Sequence, residues 1–144
     1  MSADTNAAAS VLQPAAWVRP KGFAHGVRSE GALVFVAGQI GWDAEGRFTS
    51  HEIAGQVEQA LRNVVTVLAE AGAKPEHVTR MTWYVTDKRA YLEDQRAIGA
   101  AYRAVMGRWF PAMSVVCVAA LLEDDALVEI EATAVIPNGR AYQP

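Results

Sequence analysis

Residues 110–137 read FPAMSVVCVAALLEDDALVEIEATAVIP, and the alternation in their second half decides the fold class. Val128, Ile130, Ala132, Ala134 and Ile136 recur at every second position, with Glu129, Glu131 and Thr133 between them. A period of two puts the first set on one face of a β-strand and the second set on the other. The first half is apolar on both faces over 113–119 and reads as another strand, joined to its successor through the acidic Glu123, Asp124 and Asp125. Two carboxylates in register on a non-core face offer either a solvated ridge or the floor of a site.

Upstream, ALVFVAG (32–38) is a continuous Val- and Phe-rich run, expected to be a strand buried on both faces. A turn around Asp43 and Glu45-Gly46 leads back towards a short strand near Phe48. Thr49 and Glu52 have the spacing of a capping box. After them Ile53, Val57, Ala60, Leu61, Val64, Val67 and Leu68 follow helical periodicity up to a stop at Gly72. Residues 78–85 alternate again as a strand. Asp87 is placed to cap a second helix whose stripe is Tyr91, Ile98, Ala101, Tyr102 and Val105, closed by Gly107. The order is ββαβαββ, an α+β domain with two helices on one face of a mixed sheet. Residues 1–13 are small and polar and read as a flexible N-terminal tail, leaving 14–144 as a single domain. Two helices cover one face only, yet two strands look apolar on both, so the expected second cover is another copy of the chain.

At 144 residues the chain is long enough for one well-formed core. A net charge of −3 without a Lys/Arg cluster lacks the footprint of a nucleic-acid binder. No apolar stretch approaches a membrane span, and the start lacks the pattern of a signal peptide. The single cysteine, Cys117, is expected to be a buried structural thiol, and the expected compartment is a reducing cytoplasm.

His25, His51 and His77 show no ligand spacing, so no metal site is expected. His51 and His77 read as solvated; His25, in the glycine-flanked loop GFAHG (22–26), is placed where it could line a cleft. Gly38-Gln39-Ile40-Gly41 has neither the lysine nor the following helix of a phosphate loop, and no serine lies in a GxSxG elbow. Phe23, Trp83 and Tyr84 suit a core or an interface, and equally the walls of a pocket for a small planar unsaturated acid.

Taken together, VFVAGQIGWD (34–43), QVEQALRNVVTVLAEAGA (56–73), VTRMTWYVTD (78–87) and the opening stretch resemble the Rid/YjgF reactive-intermediate deaminase family. The likeness runs over nearly all of the chain after Pro20. It implies a chorismate-mutase-like fold, a homotrimeric barrel with clefts between subunits, and hydrolysis of an enamine or imine to a keto acid and ammonia without a cofactor. Glu129 matches the family's VEIEA glutamate, the implied general base. Where typical members read Pro-Ala-Arg-Ser, this chain has Pro111-Ala112-Met113-Ser114, so the bidentate carboxylate clamp is absent. Phe23 stands for a family tyrosine, and Gly99, ahead of Tyr102, stands for an asparagine. By this resemblance Glu129 holds the water, backbone at Gly38 and Val115 orients the substrate, and His25 replaces the missing cation. Phe23, Trp83, Gly99, Tyr102, Met113 and Ser114 complete the expected cleft. The expected function is deamination of a small 2-aminomuconate-like enamine or imine. The alternative is a trimeric metabolite-binding protein that has lost catalysis. A ribonuclease role fits an acidic chain poorly.

Overall fold

A computed structural model of the protein describes residues 9–137. Its elements are β1 (Ala9–Leu12), β2 (Gly26–Ser29), β3 (Ala32–Ile40), α1 (Ile53–Glu70), β4 (Val78–Val85), α2 (Lys88–Glu93), α3 (Gln95–Met106), β5 (Ala112–Cys117) and β6 (Val128–Ile136). The alternating run does form β6, with Val128, Ile130, Ala132 and Ala134 buried and Glu129, Glu131 and Thr133 half-buried. The main sheet has the order β3-β6-β4-β5. β6 is antiparallel to both β3 and β4, whereas β5 runs parallel to β4. The two strands of the opening stretch are therefore not neighbours: β4 lies between them.

All three helices lie on one face. α1 sends Val57, Ala60, Leu61, Val64 and Leu68, none of them exposed, against Met81, Trp83, Val85, Val128 and Ile130. Each fully buried aliphatic of this kind contributes about 1.5–3 kcal/mol relative to exposure. Gly72 (φ 72°) and Gly107 (φ 67°) take the left-handed conformation that ends α1 and α3. Gln56 is the buried polar residue of this core. Its Nε2 donates to Ser50 O (3.1 Å) and Asp125 O (2.9 Å), while its Oε1 accepts from Leu127 N (2.7 Å). One amide thus ties the start of α1 to the loop entering β6, a tie between residues far apart in the chain.

Several sequence expectations are corrected. The tail does not extend to Gln13: Ala9–Leu12 pair antiparallel with Gly26–Ser29, and residues 1–8 lie outside the described ones. The strand expected near Phe48 is reduced to a single bridge, Trp42 to Phe48, because Asp43 Oδ1 closes the turn by accepting from Glu45 N and Arg47 N. Glu52 rather than Thr49 sits at the N-cap, and its side chain makes no capping bond. Asp87 does cap, accepting from Ala90 N at 3.0 Å, but the second helix is broken at Asp94 into α2 and α3. His77 is half-buried rather than solvated, and its Nδ1 accepts from Lys74 N at 2.9 Å. Cys117 is exposed, since it ends an edge strand beyond the reach of the helices. Nor is β3 covered on both faces: Val36 is buried, but Leu33 is 62% and Phe35 72% exposed. Among the described residues no helix is long and apolar enough to cross a membrane.

Candidate active site

On the helix face, where the edge of the sheet meets α2, α3 and the loop before β2, lies a cavity of about 530 Å³. That volume is in the range of small-molecule sites. The register explains its floor. Met81 pairs with Met113 and Trp83 with Val115, so these β5 side chains share the core face of β4. The wall is aromatic: Tyr102 and Phe110 stack at 5.2 Å and 11°, and Trp83 lies against Tyr102 at 6.3 Å and 34°. Phe23 and Gly22 close one side, and Tyr91, Gln95, Ile98 and Gly99 supply the helical side. The bridge from Ala24 to Ala112 and the bond from Ala24 N to Pro111 O (2.9 Å) fix the Phe23 loop to the start of β5.

The phenol of Tyr102 is committed, since its hydroxyl donates to Trp109 O. Burial pushes its ionisation well above the ordinary phenol range. Tyr102 therefore offers a ring rather than a proton. The indole Nε1 of Trp83, 2% exposed as a residue, is buried and has no acceptor among the described residues.

Six of the residues singled out from sequence line this cavity: Phe23, Trp83, Gly99, Tyr102, Met113 and Val115. Four do not. Ser114 is opposite Thr82 on the other side of the sheet, and Glu129 is opposite Tyr84 there. Glu129 rests on the bare backbone of Gly38, where a Cβ would collide with its Oε1. His25 is exposed, its ring set edge-on to Trp17 (5.0 Å) and Phe23 (5.5 Å). On this second, uncovered face Tyr84 donates from its hydroxyl to Glu131 Oε1 at 2.7 Å. That bond, with burial second, raises the phenol's pKa. A hollow of about 550 Å³ lies between Phe35, Arg80, Thr82, Glu131 and Thr133.

Residues 21, 22, 91, 95, 98, 103 and 110 also line the helix-face cavity but were not singled out as site residues from sequence. The helical ones had a signal: Gln95, Gly99 and Arg103 are four apart, on one stripe of α3.

Fold and cavity define a class: a small α+β protein with one face of its sheet bare and an aromatic site at the sheet edge. The sequence pattern of the Endoribonuclease L-PSP family matches residues 15–136. A RutC family protein of Pyrococcus abyssi is 35% identical over 105 residues, 72% of this chain and 79% of its own. The 2-iminobutanoate/2-iminopropanoate deaminase of Salmonella typhimurium is 34% identical over 108 residues, 73% of this chain and 80% of its own. The crystal structure of YyfB, a Yersinia pestis member of the conserved Rid family of unknown function, superposes with a TM-score of 0.78. It is 34% identical and covers 90% of this chain and 99% of its own. The chain belongs to this family, the YjgF/Rid family, and has its α+β fold.

Proposed function

We propose that the protein is a hydrolytic deaminase of a small enamine or imine. The observation that carries the reading is Glu129, a half-buried carboxylate laid on the side-chain-free backbone of Gly38. The missing side chain at Gly38 lets the carboxylate lie flat against the strand, on the uncovered face. Deaminases among the relatives at about a third identity support the same reaction class. In the proposed reaction an enamine tautomerises to its imine, R₂C=NH, and Glu129 takes a proton from a water as its oxygen bonds to the imine carbon. Glu129 passes that proton to nitrogen, giving the carbinolamine R₂C(OH)NH₂; the hydroxyl proton then moves through Glu129 to nitrogen as the C–N bond breaks, and ammonia and the carbonyl compound leave.

Within one chain the sheet separates Glu129 from the aromatic cavity. The reading therefore includes a homotrimer in which the uncovered face of one copy meets the sheet edge of another. Supporting it are Leu33 and Phe35, large apolar side chains standing on the uncovered face beside Glu131 and Thr133. The substrate we favour is an amino-dienoate of the 2-aminomuconate kind, because Met113 leaves no guanidinium on β5 for a simple α-imino acid. Purified protein should release ammonia from such a substrate, with loss of its near-ultraviolet absorbance, and Glu129→Gln should not. Equal rates from both proteins would remove Glu129 from the mechanism.

Met113 also favours a second reading, a metabolite-binding protein without turnover. A compound that raises the melting temperature and is recovered unchanged would support it. The word endoribonuclease in the family's description finds little support here, since a net charge of −3 draws no phosphate backbone.

A further inference from the structure

We propose that Arg103, on α3, is the residue that holds the carboxylate of the ligand in the helix-face cavity, and that Gly99 makes this possible. The inference rests on the substrate class of the preceding reading but concerns a residue to which that reading assigns no role. Among the described residues the charged side chains lining the cavity are Arg103 and Lys21, with no Asp or Glu. The cavity is thus cationic at its rim and aromatic within, which suits a flat, unsaturated anion and excludes a cation.

Placement separates the two cations. Arg103 lies one helical turn after Gly99, and a Cβ built at Gly99 would stand 3.3 Å from Arg103 Nη1. The guanidinium is therefore folded back over the glycine, along the cavity wall, in space that any larger residue at 99 would contest. It makes no ion pair among the described residues. Met113 and Val115, on the opposite side, present only apolar surface. Trp83 adds ring surface to the same cavity, while its Nε1–H is buried and without an acceptor among the described residues. A guanidinium at the rim and stacked rings within can hold a planar acid by its carboxylate and by its flat face.

The test is binding without turnover, using sorbate (a planar dienoate) and its neutral amide as probes on the full chain. Titration calorimetry of the wild type should show sorbate binding roughly tenfold more tightly than sorbamide, the preference of a partly solvated charge-assisted contact. Arg103→Gln should erase that preference and leave the sorbamide affinity as it was. Gly99→Val, which leaves the charge but crowds the guanidinium, should reduce the preference by a smaller factor. Equal affinity for the two probes, a preference that survives Arg103→Gln, a preference removed by Lys21→Gln instead, or no binding of either probe at millimolar concentration would each overturn the proposal. Because no chemistry is read, a failed ammonia assay leaves it standing, and a successful one does not rescue it.

Discussion

Strand β6 shows two different surfaces to its two sides. Towards the helices it packs Val128, Ile130 and Ala134, none of them exposed. Away from them it carries Glu129 and Glu131, half-buried, next to an exposed Phe35 and a Tyr84 that donates to Glu131. The covered face is finished within one chain, because α1 and α3 bring it enough apolar surface. The other combines carboxylates with large apolar groups and has no cover among the described residues. Stability is thus concentrated on one face and unsatisfied surface on the other. Adjacent residues of one strand should respond to mutation in different observables.

The sharpest contrast pairs Glu129 with Ile130. Glu129→Gln should lower ammonia release by on the order of a hundred- to ten-thousandfold, the usual contribution of a general base, with little change in melting temperature. Ile130→Ala should do the reverse, costing about 2–5 kcal/mol of stability through lost burial and the cavity left behind. Denaturant titration beside an activity assay checks both, and a Glu129→Gln protein as unstable as Ile130→Ala would break the comparison. Next, Phe35→Glu places a charge on the uncovered face. Light scattering should report a trimer for the wild type and a smaller species for the variant. A wild-type monomer would mean that the face is free.

A smaller effect is expected at Met113, which lines the cavity beside Val115. Met113→Arg should improve activity on 2-iminobutyrate by roughly ten- to a hundredfold, through a charge-assisted bond to the carboxylate. No gain from a folded variant would move specificity to the Phe23 loop. The smallest effect concerns Asp43, in the turn remote from either face. The backbone N–H of Arg47, above all, holds its carboxyl below the usual value of 3.8. A depressed pKa in the folded state means that the contribution is present above the unfolded value and is lost as pH falls through the folded one. Asp43→Asn should therefore flatten the acid limb of the stability curve slightly and leave neutral stability nearly unchanged, as measured by melting temperature from pH 2 to 6.

Legibility from sequence followed the range of the interactions. The β4 strand was read at its observed bounds, 78–85, and the helix stops at Gly72 and Gly107 were read correctly, because period and left-handed glycine are local properties. The β1–β2 pairing escaped notice, since a four-residue strand in a small, polar segment carries almost no periodic signal. The exposure of Cys117 was misjudged for a related reason. An apolar run says that a strand wants cover, whereas the position of β5 at the sheet edge decides whether it receives any. In the candidate site, Gly99, Tyr102, Met113 and Val115 came from the likeness to the family's motifs, and Phe23 and Trp83 also from their aromatic character. Arg103 was passed over because an arginine on an amphipathic helix ordinarily faces solvent.

By itself, then, the amino-acid order determined the four strands of the main sheet, the long helix α1 and which side of β6 is apolar. Only the tertiary structure decided that β4 separates β5 from β6, that Gln56 bonds to a loop some seventy residues away, and that Glu129 and Met113 stand on opposite faces of the sheet. The physical reason is that periodicity is written by the local backbone. Strand order, edge position and the direction of a long side chain are instead set by which distant surfaces pack best, and such pairings leave no repeat in the chain.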